Sequence, residues 1–168
     1  MSIARAVKIA RKQRRLQQDE LGVPYSKSMV SMMERGERLP AVDVAPLIGQ
    51  KLDHPAAYLE LARELSGGYG PSWLDGPNVD LHRASVRERT LDEVQEAILN
   101  IERFPASRPP NVETDGERKR RYEHLLQCFD ALVALTAYIG VQCLEYGFSM
   151  LQLSKDHHAK LKGKRYVT

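Results

Sequence analysis

Aromatic residues are scarce in this chain, at 7% of 168 positions, and Trp73 is the single tryptophan. So few rings cannot supply the row of stacking platforms with which proteins hold single-stranded nucleic acid. Cysteine is scarcer still. Cys128 and Cys143 match no zinc or redox spacing, so reduced core thiols are expected. Nine prolines and eleven glycines are too few for a fibrous or low-complexity protein. The amino terminus is basic and has no apolar stretch before its charges resume. No signal peptide is expected, and the location expected is cytoplasmic. The charge-free run Ala131 to Leu144 is fourteen residues long, between Asp130 and Glu145. That falls short of the ~20 apolar residues a span needs, so the expectation is a core or oligomer helix and no membrane partner.

What remains is ordinary globular composition, 42% hydrophobic and 28% charged, which excludes wholesale disorder. The length suits one extended domain or two modest ones. The net charge of +3 hides an uneven distribution. Residues 1–68 carry 11 basic and 8 acidic side chains, residues 69–117 carry 5 and 10, and residues 118–168 carry 9 and 4. Arg5, Lys8, Arg11, Lys12, Arg14 and Arg15 fall within the first sixteen residues, with no acid among them. Such a run is most often a solvated face, and only the helices after it can give it another meaning.

Apolar residues recur at spacings of three and four almost throughout, so the fold class expected is all-α. Residues 2–15 form a first amphipathic helix. Gln17 to Val23 form a short second one, stopped by Pro24. Ser26 caps a third, Lys27 to Arg35, with Val30 and Met33 facing inward and Gly36 as its stop. A fourth covers Val42 to Lys51, and a fifth runs from Pro55 to Leu65 before Gly67 and Gly68. Turn dipeptides make Tyr69 to Val86 irregular, with a short strand at Val79, Leu81 and Val86 as one reading. Thr90 and Glu93 form a capping-box pattern, starting a helix whose inward face is Leu91, Val94, Ile98 and Ile101. A linker comes next, over residues 105–116 (Pro105, Pro109, Pro110, Gly116). A long helix then spans Glu117 to Tyr146, and a last one Ser149 to Lys162. The expected division is residues 1–68, a connecting segment 69–104, and a carboxy-terminal helical region 105–168.

Catalytic patterns are missing. The five histidines are scattered, and no His-Glu-x-x-His or Cys-x-x-Cys occurs. His157 and His158 are adjacent, which on a helix points them roughly 100° apart. Gly67 to Gly70 lacks the Lys-Ser/Thr of a phosphate loop, and no Gly-x-Ser-x-Gly exists. Asp75, Asp80, Asp92 and Glu93 lack anything to organise them as an acid–base pair. The expectation is a protein that is not an enzyme and needs no metal or cofactor.

The informative constellation is five short helices in succession. Leu16-Gln17-Gln18-Asp19-Glu20-Leu21, with Val30, Met33, Glu34, Gly36 and Pro40 in the pattern apolar-x-x-apolar-Glu-x-Gly-x-x-x-Pro, resembles the Cro/CI (Xre) helix-turn-helix family of phage-type transcription regulators. The resemblance covers about residues 3–62. It implies a five-helix, lambda-repressor-like domain in which the third helix reads double-stranded DNA. Family members usually have about two more residues between the second and third helices than Gly22-Val23-Pro24-Tyr25 provides.

On that reading Lys27 donates to guanine, Ser28 donates or accepts, and Ser31 and Met32 lie further along the same helix. For Met29 and Met32, core packing and base contact weigh equally. Ser26 caps the helix and touches phosphate. The resemblance further implies a DNA contact from Gln18 and phosphate contacts from Arg35 and Arg38, and Gln17 is added as a DNA-binding candidate beside Gln18. Arg14 and Arg15 are added as cations flanking the same groove. It also implies a structural ion pair between Arg11 and Glu34.

In the long helix Leu125, Phe129, Leu132, Thr136, Ile139 and Cys143 make one apolar stripe, with Leu126, Val133, Ala137, Val141 and Leu144 beside it. One chain has too little else to cover both, so a homodimer through residues 118–150, Val133 included, is expected. A palindromic operator and a repressor of prophage type go with that reading. Two rivals stand beside it: a protein-interaction module, and an antitoxin whose carboxy-terminal region binds a partner protein.

Overall fold

Ser2 sets the first helix, because its hydroxyl accepts from the Arg5 N–H at 3.3 Å and satisfies one orphan donor of the opening turn. The helix, α1 (Ile3–Gln13), stops two residues short of the sequence expectation, since Arg15 adopts a positive φ of 57°. The computed structural model describes residues 1–104 and 109–168. Among them are seven α-helices, two short 3-10 turns and no strand, so the chain is all-α.

The second expected helix is only a 3-10 turn, Gln18–Leu21, ended by Gly22 at φ 68°. The short connection leaves no room for a full α-turn before Pro24. Next come α2 (Lys27–Glu34), α3 (Ala45–Leu52) and α4 (Pro55–Leu65). α3 starts three residues later than expected, because Val42 to Val44 form a turn. The ring of His54 caps α4, its Nδ1 accepting from the Ala56 N–H at 3.1 Å.

α1 packs on α2, α3 and α4 around Val7, Leu21, Val30, Met33, Ile48 and Leu52, all essentially buried. Each such aliphatic side chain contributes about 1.5–3 kcal/mol of burial free energy. The α3–α4 crossing is close at Gly49, where a Cβ would stand 3.0 Å from Tyr58 Cε1.

Two compact units emerge. One comprises Met1–Pro77 with Gln142–Thr168, and the other Asn78–Val141. Residues 142–168 therefore group with the amino-terminal helices rather than with the rest of 105–168. In the first unit the irregular stretch after α4 is tied down. The Glu60 carboxylate accepts from the Trp73 N–H at 3.1 Å, and Arg5 pairs with Asp75 at 3.0 Å. α7 (Met150–Gly163) belongs to this unit and starts at Ser149, its N-cap. The Leu151 N–H donates to Asp53 Oδ1 at 3.1 Å.

The second unit is built from α5 (Arg83–Arg103) and most of α6 (Asp115–Tyr146). Three expectations change here. There is no strand at Val79, Leu81 and Val86, and Val86 is instead a buried residue of α5. Thr90 is not a cap. The helix begins eight residues earlier under the N-cap His82, and Thr90 is buried within it, its hydroxyl donating to Val86 O at 2.7 Å and Ala134 O at 3.1 Å. The inward face is Val86, Thr90 and Ala97, whereas Leu91, Ile98 and Ile101 are exposed. The Thr90 hydroxyl bonded to Ala134 O marks where α5 meets α6, on the face of small residues rather than the bulkier one. The helices run antiparallel: Thr90 meets Ala134, and Phe104 stacks on His124 at 4.7 Å.

Of the expected linker, Pro105 and residues 106–108 lie outside the described residues. Pro110–Val112 form a 3-10 turn, and Gly116 already belongs to α6. Both cysteines are free thiols.

Candidate nucleic-acid interface

α2 is short, and its two faces differ in kind. Ser26 caps it, accepting from the Met29 N–H at 3.3 Å. Val30 and Met33, three apart, are buried against α1 and the 3-10 turn. Lys27 and Ser28 are exposed on the first turn, while Met29, Ser31 and Met32 are half-buried. The helix closes at Gly36, whose φ of 78° lets the Gly36 and Glu37 N–H groups donate back to Met33 O and Met32 O.

A buried ionic cluster fixes the orientation of α2. Arg11 Nε and Nη2 donate to the two Glu34 oxygens at 2.5 and 3.0 Å, a bidentate pair between α1 and α2. Arg11 Nη1 donates to Leu16 O at 2.6 Å, and Gln18 Nε2 to Glu34 Oε2 at 2.9 Å. Burial by itself would raise the Glu34 carboxyl, but the bonds from Arg11 and Gln18 outweigh it and hold the group below the usual carboxylate range. The same bond to Glu34 raises the Arg11 guanidinium. α1, the 3-10 turn and α2 are thus clamped at one carboxylate.

The remaining predicted contacts divide. Gln17 is exposed, its N–H donating to Glu20 Oε2 at 2.6 Å, whereas the Gln18 side chain is committed to Glu34. Arg14 donates to the carbonyls of Leu52 and Asp53 at 2.8 and 3.0 Å, so it joins α1 to the end of α3 rather than projecting freely. Arg15 is exposed. Arg35 is folded onto Glu37 at 2.6 Å and onto the Ser31 hydroxyl at 2.5 Å, and must exchange these partners to reach a phosphate. Arg38 is exposed on the loop after α2.

Two positioning residues escaped the sequence reading. The Tyr25 hydroxyl accepts from the Ala41 N–H at 2.7 Å, pinning the loop that carries Arg38 to the turn before α2. Nothing in a lone turn tyrosine signals this. His54 is almost wholly buried, its Nε2 2.6 Å from Gln13 Oε1, and desolvation together with the Arg14 charge lowers its pKa to about 4. Its ring is neutral, as an N-cap acceptor must be.

In the long helix, Leu125, Phe129, Leu132 and Ile139 are exposed, with Val133 and Thr136 half-buried. Cys143 departs from the expected interface, since it is buried within the first unit. Ala137 and Val141 of the neighbouring stripe are buried too. By length and composition α6 also reaches the apolarity of a membrane span, with an 18-residue window of mean hydropathy 1.5 that is 28% buried. Among the described residues no three His, Cys, Asp or Glu side chains are grouped to hold a metal ion. Comparison with protein-family models, curated proteins and solved structures finds no match.

Proposed function

We propose that this chain is a sequence-specific, double-stranded-DNA-binding regulator of transcription, a cytoplasmic repressor of the Cro/CI type rather than an enzyme. α2 is its recognition helix and α1 to α4 its five-helix domain, the 3-10 turn standing for the second helix. It acts as a homodimer through α6. One observation carries the reading: α2 offers Lys27 and Ser28 to solvent at its amino-terminal end, while Val30, Met33 and the Arg11–Glu34–Gln18 cluster hold its other side rigidly. A helix that enters a major groove needs this division, with adaptable donors first and an immobile back.

Phosphate contacts fall to Arg38, Arg15 and Gln17, and to Arg35 once it leaves Glu37. Arg14 and Gln18 act by positioning. Lys27→Ala and Ser28→Ala, tested by fluorescence anisotropy on a selected operator, each reduce discrimination by ~1–3 kcal/mol without altering the helical circular-dichroism spectrum. Two variants that bind like wild type would remove α2 from the groove.

The exposed Leu91, Ile98 and Leu99 of α5 favour a second reading, a module or antitoxin that binds a partner protein. A stoichiometric foreign chain co-purifying with a protein that ignores DNA at low salt would select it.

A further inference from the structure

The second unit leaves bare one continuous apolar face of α6. Tyr122, Leu125, Phe129, Leu132, Thr136 and Ile139 succeed one another by 3, 4, 3, 4 and 3 residues. The five large members are between 38% and 65% exposed. Spacings of three and four make this one continuous helix face, of the kind that packs on another helix. Leu126 and Leu135 flank the seam and are exposed as well, so the apolar stripe is wide. α5 does not cover it. α5 lies on the small-residue side of α6, where Ala131 and Ala134 are buried and the Thr90 hydroxyl reaches Ala134 O. The bare side chains amount to roughly 700 Å² per copy, close to the ~800 Å² per partner of a standard interface.

Charge favours one direction. Arg118, Lys119 and Arg120 fill the turn just before the seam, while Arg121 beside them is paired with Glu113. In a parallel pair the two clusters would lie side by side, within about one Debye length of ~8 Å. In an antiparallel pair centred between Phe129 and Leu132 they lie at opposite ends, ~35 Å apart at 1.5 Å of rise per residue. In that arrangement Phe129 meets Leu132 of the second copy across the twofold axis, and Tyr122 meets Ile139, the alternating layers of an antiparallel seam.

We infer that the seam Tyr122 to Ile139 pairs antiparallel with the same seam of a second copy, and that this contact, rather than a lipid surface, covers it. The inference deepens the homodimer of the proposed function and does not depend on DNA binding.

The full chain is used for the test. Sedimentation equilibrium at 20 µM gives a dimer for wild type and a monomer for Leu132→Glu. Leu132 is exposed in the single chain, so the variant keeps its helical spectrum. In a Cys128→Ser, Cys143→Ala background that still sediments as a dimer, a spin label on Lys119→Cys reports an inter-copy distance near 35 Å, the rise expected over the paired helices. A distance under ~20 Å means parallel pairing and overturns the inference, as does a wild-type monomer. So does wild-type protein that cosediments with vesicles of three parts phosphatidylcholine to one part phosphatidylglycerol while Leu132→Glu does not. A chain that dimerises antiparallel yet retains no duplex upholds the inference and removes the DNA reading alone.

Discussion

Replacing Arg11 by Met keeps the apolar stem of the side chain and removes its charge and all three donated bonds. The Glu34 side chain, 3% exposed, then keeps only Gln18 as a hydrogen-bond donor among its present partners, and Leu16 O loses its bond from the guanidinium. Breaking one side of a buried pair costs about 3–5 kcal/mol, chiefly by stranding the other charge. Gln18 offsets part of this, so ~3 kcal/mol is expected, a large share of the ~5–15 kcal/mol that holds a domain together. Urea unfolding monitored by circular dichroism at pH 7.5 reads it as a lower midpoint with an unchanged slope. The double variant Arg11→Met, Glu34→Leu strands no charge and should recover most of the loss. A single variant less than 1 kcal/mol below wild type would show that Glu34 is solvated in solution, and that α2 is not clamped as described.

The same structure fixes other outcomes. His54 has a folded pKa of about 4, below its ordinary value, so the unfolded chain binds the extra proton. Its contribution is complete above pH ~6.5 and falls by up to ~3 kcal/mol as pH drops towards 4. Urea midpoints at pH 7.5, 6 and 5 should decline in wild type and stay flatter in His54→Asn; parallel declines would assign the loss to other groups. Gly49→Ala pushes a methyl against Tyr58 and should cost ~1–3 kcal/mol by the same assay, and a neutral result would mean that the ring swings aside freely. Thr90→Val keeps its volume but loses both hydroxyl bonds, for ~1 kcal/mol in thermal unfolding. Arg38→Ala should weaken all duplexes alike and lower the salt slope by about one unit, and an unchanged slope returns Arg38 to plain solvation.

The legible parts of this fold were those written in local chemistry. Ser26, Pro55 with Gly67, and Ser149 mark helix ends through caps and backbone permissions that operate within a few residues, and the elements stand close to where those marks put them. Thr90 misled because Thr-x-x-Glu satisfies a capping box only when the chain before it is not helical, and here His82 starts the helix earlier. The inward face of α5 was misread for a tertiary reason. Hydrophobic periodicity selects the largest side chains, whereas the residues buried on α5 are Val86, Thr90 and Ala97, and the Thr90 hydroxyl meets α6 at Ala134 O.

At the candidate interface, the exposure of Lys27 and Ser28 is set by the period of α2. The commitment of Arg14 to α3 carbonyls 38 and 39 residues away, and of Gln18 to Glu34, has no local trace. Cys143 left the seam for the same reason, since what covers it is far from it in sequence.

The central claim is that α2 reads duplex sequence, and selection from a random 30-base-pair library by the full chain tests it most directly. Retained duplexes should converge on a motif with twofold-related half-sites. Retention should weaken as salt rises from 50 to 200 mM, and Lys27→Ala with Ser28→Ala should abolish the convergence while leaving low-salt retention in place. Folded, dimeric wild-type protein that retains no duplex at 50 mM salt, or retains all sequences equally, would contradict it.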